Sequence, residues 1–309
     1  MHTGRRTLLP LLFLLFLLTG CAGAYKQVAH FAIGLDREQA GLARKEVTLD
    51  DGLHYVYLEG GKGEPLMLLH GFGGNKDSFT RSARYLTPHY RVIIPDHIGF
   101  GESSRPPEAD YTPAAQAERL RRLAQALGAK TIHLGGNSMG GQIAMAYAAL
   151  YPTEVGSLWL LNPAGIWNAP RSELAHIVLG TGRNPLIARS EDEFAETFAF
   201  VMTDPPFVPR PILNVFAQER IRHADLEERI FVKIATDSVE DRVRGLDTPT
   251  LIVWGDGDRV IHVGTAEVLN RLMPRSEVIV MQGVGHLPMI ERPKQSAEDY
   301  LRFRAVAGK

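Results

Sequence analysis

The chain of 309 residues carries 34 basic against 35 acidic side chains, a formal net charge of −1, and 45% hydrophobic residues. That balance fits a globular body, leaves no basic field for nucleic-acid binding, and excludes a disordered or collagen-like chain. The single cysteine, Cys21, rules out an intramolecular disulfide framework and any cysteine-rich metal site.

Residues 1–24, MHTGRRTLLPLLFLLFLLTGCAGA, place Arg5 and Arg6 ahead of an unbroken apolar run from Leu8 to Leu18, with small residues after it. This is the layout of a secretory signal. Leu18-Thr19-Gly20-Cys21 resembles a bacterial lipobox, which predicts cleavage before Cys21 and acylation of that cysteine. The competing reading is an uncleaved anchor, because Leu8 to Ala24 runs without charge for nearly the roughly 17–25 residues of a spanning helix. Both readings expect a membrane-anchored protein of the bacterial cell envelope, with the arginines inside and the body outside the cytoplasm. A secreted soluble form is the remaining case. Residues 25–44 place Val28, Phe31, Ala32 and Leu35 at helical spacing, which suggests a juxtamembrane helix, with a plain linker as the alternative.

From residue 45 the pattern changes. KEVTLDD and HYVYLEG read as a hairpin turned around Asp51-Gly52, a favoured tight-turn pair. PLMLLHG (65–71), RVIIPD (91–96), TIHLGGNS (131–138), GSLWLLN (156–162), TLIVWGD (250–256) and SEVIVMQG (276–283) are near-continuous apolar runs, expected of strands buried on both faces of a parallel sheet. Helical patterns lie between them, the clearest over 114–127. Strand and helix in alternation predict a doubly wound α/β sheet. After Asn162 a long gap intervenes before the next strand, and its sequence is helical and punctuated by Asp204-Pro205-Pro206 and Pro209-Arg210-Pro211. We read a signal or anchor (1–24), a juxtamembrane segment (25–44), an α/β core (45–165), a helical cap (166–247) over the carboxyl ends of the strands, and the rest of the core (248–309).

Four strand ends carry the chemistry. Gly136-Asn137-Ser138-Met139-Gly140 follows a strand and opens an alanine-rich helix, the nucleophile-elbow pattern G-x-S-x-G. A serine hydroxyl needs a base, and His286, in the loop after the last strand, is the candidate. The base needs an acid to hold its tautomer, and Trp254-Gly255-Asp256-Gly257-Asp258 offers Asp256 and Asp258. We take Asp258, leaving Asp256 to the turn. His70-Gly71-Phe72-Gly73-Gly74 is a glycine-rich loop, and the backbone N–H groups of Phe72 and Met139 are the candidate oxyanion donors.

With HGFGG, DHIGFGESSRP (96–106), GNSMGG, and GDGDRVI ahead of GVGHLPMIERP, residues from about 45 to 305 resemble an α/β-hydrolase. The nearest members in pattern are bacterial membrane-anchored lipases, monoacylglycerol lipases and phospholipases A. The resemblance implies the α/β-hydrolase fold with an inserted helical lid, supports Asp258 as the acid, and makes the loop from Asp96 to Ser103 structural. It also disfavours dehalogenase and epoxide hydrolase chemistry, whose enzymes use aspartate where Ser138 stands. The expectation is a serine carboxylic ester hydrolase of glycerolipids, working through an acyl-enzyme without cofactor or metal. Phe194, Phe198, Met202 and Phe207 are candidates to line an acyl groove, with the interior of the cap as their plainer role. Membrane lipids are the expected partners, as substrate and anchor, and a homodimer stays open. GNSMGG also resembles hydrolases that cleave carbon–carbon bonds in ring-fission products, which supplies the alternative reaction. A non-enzymatic hydrolase-like binding protein is a further alternative, to which an intact triad is superfluous.

Overall fold

The computed structural model describes the backbone of residues 8–307 and the side chains of residues 23–306. Successive strand residues point to opposite faces of a sheet, and here both faces are used. Met67, Leu69, Leu134, Leu158 and Leu160 pack on one side, and Leu66, Leu68, Trp159 and Leu161 on the other. The strands are β1 (Leu42–Thr48), β2 (His54–Gly60), β3 (Pro65–Leu69), β4 (Arg91–Pro95), β5 (Ile132–Asn137), β6 (Val155–Leu161), β7 (Thr250–Gly255) and β8 (Ser276–Met281). Their order across the sheet is β1-β2-β4-β3-β5-β6-β7-β8. β1/β2 and β2/β4 are antiparallel and every other pair is parallel.

The helices are α1 (Leu8–Gln39), α2 (Thr80–Ala83), α3 (Pro113–Ala126), α4 (Met139–Leu150), α5 (Glu173–Thr181), α6 (Glu191–Phe200), α7 (Arg210–Thr236), α8 (Glu240–Val243), α9 (Thr265–Leu272), α10 (Pro288–Glu291) and α11 (Pro293–Ala307). Residues of α3, α4, α8 and α9 cover the first face of the sheet, and residues of α2 and α11 cover the second. Local chemistry starts these helices where the sequence suggests. Thr112, Ser172 and Ser190 each accept a backbone N–H at the head of α3, α5 and α6, and Glu191, Asp192 and Glu193 follow at the positive end of α6.

The gap between β6 and β7 is filled by α5, α6, α7 and the short α8. This insertion is tied down onto the strand ends. Leu174 N–H donates to Arg259 O after β7, and the Gln142 side chain of α4 donates to Ile234 O at 3.1 Å and Asp237 O at 2.5 Å, at the end of α7.

Two expectations are corrected. Asp51-Gly52 lies within a five-residue connection, with Leu49 N–H on Leu53 O and Gly52 at φ +81°, and is not a two-residue turn. β8 is an edge strand, so Val278 and Val280 are 37% and 43% exposed and are not buried on both faces. In α1 the stripe Val28, Phe31, Ala32, Leu35 faces outward, with Phe31 68% exposed. The helix docks by its other side, burying Ala29 and pairing Arg37 with Asp77 through two hydrogen bonds of 2.7 Å. The docked side is chosen by small Ala29 and by charge pairing. Among the described residues no helix is long and apolar enough to cross a membrane. The side chains of the apolar run Leu8–Leu18 and of Cys21 lie outside the described residues.

Candidate active site

Ser138 stands between the last residue of β5 and the first of α4, at φ 52° and ψ −118°. That left-handed backbone is strained for any residue with a Cβ, and it aims the side chain out of a sharp strand-to-helix turn. The flanking glycines make the turn sterically feasible. A Cβ at Gly140 would meet Leu69 O at 2.1 Å, and one at Gly136 would meet Gly140 O at 2.3 Å. Both obstacles are backbone, which cannot rotate aside.

His286 and Asp258 meet across the ends of β7 and β8. The His286 Nδ1 to Asp258 Oδ2 distance is 2.8 Å, and the side chains are 5% and 0% exposed. Asp258 is held from every side. Its Oδ1 accepts Val260 N–H at 2.8 Å and Ile261 N–H at 3.0 Å, while Oδ2 also accepts Asn162 Nδ2 at 2.6 Å. A carboxylate so donated to is acceptor-only, so Nδ1 of His286 carries the proton and Nε2 is left bare. Asp256 is exposed and accepts Gly283 N–H at 2.7 Å, the turn role assigned to it. No hydrogen bond within 3.5 Å joins the Ser138 hydroxyl to His286 among the described residues, a looseness common in unliganded hydrolases.

The loop from His70 to Gly74 lies against the elbow, since a Cβ at Gly71 would stand 3.3 Å from Ser138 Cβ. Gly71 O accepts His70 Nδ1–H at 2.8 Å and Gly74 N–H at 3.0 Å. Because a trans peptide points its C=O and N–H in opposite directions, the N–H of Phe72 is turned away from those partners. Among the described residues, neither Phe72 N–H nor Met139 N–H donates to a protein acceptor. Two free donors therefore flank the serine, with Met139 N–H at the positive end of α4.

His70 also accepts His97 N–H at 3.1 Å through Nε2, so both of its nitrogens serve the loop. Burial, with Lys76 adding to it, pushes the His70 imidazole down to about 4, and burial with the His70 ring beside it holds His97 well below the usual range. Both rings stay neutral in the fold but take up protons in the unfolded chain below about 6.5. The unfolded state then binds more protons, so stability rises with pH in this window and is lost as pH falls from 6.5 towards about 4. The expected result is a melting temperature that falls clearly between pH 7 and pH 5, with a shallower fall in His70→Gln. An unchanged wild-type melting temperature across that interval would contradict the buried neutral pair. Asp96 takes no part in the site. It accepts Lys76 Nζ at 2.8 Å and Glu102 N–H at 2.7 Å, and Ser103 bonds its carbonyl, holding the loop as expected.

Three positioning groups escaped the sequence reading. Asn137, beside the serine, donates through Nδ2 to His286 O at 2.9 Å and Leu161 O at 3.0 Å, tying elbow to histidine loop. Asn162, with φ 47° at the end of β6, holds Asp258. Buried Glu291 accepts the N–H groups of Gly285, Thr203 and Asp204, and Val201 O accepts His286 N–H, so the histidine loop is pinned to the segment after α6. An asparagine at a strand end, where left-handed backbone is tolerated, was the available signal for Asn162.

The four candidate groove residues are not brought together. Phe194 borders a cavity of about 1190 Å³ between α1 and α7, Phe198 is half-buried, Met202 is buried beside the histidine loop, and Phe207 is 91% exposed. That cavity reaches Gly73 and Gly74, and its walls do not include Ser138, Asp258 or His286. The apolar cluster that contains Phe72 of the glycine-rich loop and Val260 beside Asp258 is a different set, with Leu174, Phe200 and Phe231 packed into it.

A strained serine elbow, a histidine–carboxylate pair at later strand ends and a glycine-rich loop with a free N–H define an α/β-hydrolase site. Residues 64–293 match the family model of the alpha/beta hydrolase fold, and the chain belongs to that family. It is 46% identical to Lipase 1 of Psychrobacter immobilis over 94% of both chains. It is also 28% identical to the human monoacylglycerol lipase ABHD6, over 78% of this chain and 75% of that one. Among solved structures, a membrane phospholipase A described as a novel bacterial virulence factor superposes with a TM-score of 0.90 at 37% identity, covering 97% of this chain and 98% of that one. The lipase-like resemblance read from the motifs therefore holds.

Proposed function

We propose that this protein is a serine carboxylic ester hydrolase of acyl glycerolipids, acting through an acyl-enzyme at a membrane surface. The chain is an ester hydrolase of lipolytic kind, supported by its 46% identity to two bacterial lipases over nearly its whole length. The observation that carries the serine mechanism is the 2.8 Å His286–Asp258 pair beside the Ser138 elbow.

In this reading Ser138 Oγ attacks the ester carbonyl and its proton passes to His286 Nε2. Asp258 stabilises the imidazolium through Nδ1–H, and Phe72 and Met139 N–H hold the developing oxyanion. The tetrahedral intermediate collapses, His286 returns the proton to the departing alcohol, and water then cleaves the acyl-enzyme with the same base. Residues 166–247 act as the cap, and the half-buried rings of Phe72 and Phe231 border the place of the acyl chain. The amino-terminal run tethers the body outside the cytoplasm, by an acylated Cys21 or by the retained helix.

The test is turnover by the purified full chain in detergent of a short p-nitrophenyl ester, a monoacylglycerol, a lysophospholipid, a diacyl phospholipid and a ring-fission dienoate, with Ser138→Ala as the blank. Lipid-ester turnover is expected, and turnover of the dienoate alone would overturn the reading. Mass spectrometry of the mature protein is expected to find a diacylated Cys21 at a new amino terminus or an intact Met1 end. A mature chain starting elsewhere would remove the tether.

A further inference from the structure

Every donor arm of Arg220, in the first half of α7, is engaged. Its Nε donates to both oxygens of Glu227 at 2.7 and 2.8 Å, Nη2 to Leu186 O at 2.6 Å between α5 and α6, and Nη1 to Gly73 O at 3.1 Å in the glycine-rich loop. The guanidinium covers Gly73, where a Cβ would meet it at 2.2 Å, and stands 5.7 Å from the centre of the Phe72 ring. That ring also packs edge-on against Phe231, about three turns further along α7 than Arg220 and about one turn past Glu227. Glu227 is itself buried, only 3% exposed, and burial pushes its carboxyl up while Arg220 opposes the shift.

An arginine and a glutamate buried together are weak evidence for stability, because desolvation offsets most of their attraction. What this pair does have is direction. Glu227 orients the fork from within α7, and the fork reaches out to the carbonyl one residue past the proposed oxyanion donor. The body fixes the Gly71 carbonyl on one side of Phe72, through His70 and Gly74. Only the insertion fixes the Gly73 carbonyl on the other, among the described residues.

We propose that Arg220, oriented by Glu227, is a positioning residue that couples the helical insertion to the oxyanion loop, so that Phe72 N–H is correctly aimed only while α7 is seated. The inference rests on the reading of Phe72 N–H as an oxyanion donor. Displacing α7 removes Nη1 from Gly73 O and Phe231 from the Phe72 ring together, and a shift of about 1 Å in a catalytic donor is enough to lower turnover roughly 100-fold.

The test uses the full-length protein with a soluble short-chain p-nitrophenyl ester, which makes least demand on lipid binding. Arg220→Ala is expected to lower kcat about 10- to 100-fold with KM within about threefold, and millimolar methylguanidinium is expected to restore part of the kcat. Arg220→Ala leaves Glu227 buried without its partner and can fail to fold. Arg220→Met combined with Glu227→Leu removes both charges at similar volume and is expected to melt near the wild type while keeping the kcat defect. Wild-type kcat in the folded double variant, or a loss confined to KM, would overturn the coupling. If instead wild type and Ser138→Ala hydrolyse the ester equally, the serine mechanism has failed and the coupling falls with it.

Discussion

Ser138→Ala is expected to lower kcat by on the order of 10⁶-fold, with a small residual rate from the remaining oxyanion donors and substrate binding. Its stability should stay close to wild type, because alanine inherits the same φ of 52°. Ser138→Gly separates chemistry from backbone. Glycine adopts this conformation without strain, and after its greater unfolded-state entropy is set against that relief it should be about 1 kcal/mol more stable than wild type while equally inactive. The measurement is a urea midpoint beside an ester assay. A glycine variant less stable than the alanine variant would mean that the elbow stores no strain, and residual wild-type activity in either would remove Ser138 from the chemistry.

The second large effect is expected from Asp258→Asn. Two of the four donors on this carboxylate, Val260 N–H and Ile261 N–H, are backbone and cannot turn away, so they keep the amide oxygen of the asparagine. The new NH₂ then faces Asn162 and His286. Asn162 can answer by flipping its own amide, since its Oδ1 has no other partner among the described residues. His286 can only offer a bare Nδ1, which moves its proton to Nε2 and leaves no base for the serine. Turnover should fall about 10⁴-fold with little change in melting temperature. Asp256→Asn, an exposed turn carboxylate, is the matched control and should stay within about twofold of wild type. Equal loss in the two variants would reject Asp258 as the orienting acid.

The framework of the site was readable because each motif is local. A serine between glycines at a strand end, a histidine after the last strand and an aspartate two residues past Trp254-Gly255-Asp256 announce themselves within a few residues. The strands were readable because period-two burial in a sheet covered on both faces leaves little room for polar residues. Asn137, Asn162, Glu291 and Arg220 were not readable as site residues because their partners lie far away in sequence. Asn162 meets Asp258 across 96 positions, and Arg220 meets Gly73 across 147. Nothing in the composition of α7 distinguishes an arginine that reaches the glycine-rich loop from one that is solvated. The facing of α1 was not legible for a related reason: its apolar stripe is real, but it lies on the exposed side, and two hydrogen bonds from Arg37 hold the other side to the body. Phe207 shows the same limit, since apolar character placed it in a groove and the backbone left it outside.

The docking of α1 has a mechanical consequence. Arg37 grips Asp77, Thr87 grips Ala40 O, and Ala29 is shut against the body, so the helix has no free joint before the first strand. At about 1.5 Å per residue, the stretch from Gly23 to Arg37 measures roughly 21 Å. Under the proposed tether that stretch is a boom and not a leash. A tether at its far end would set the height and tilt of the candidate site at once, and lengthening the chain by a few residues within the helix would rotate the site by about 100° per residue as well as raise it.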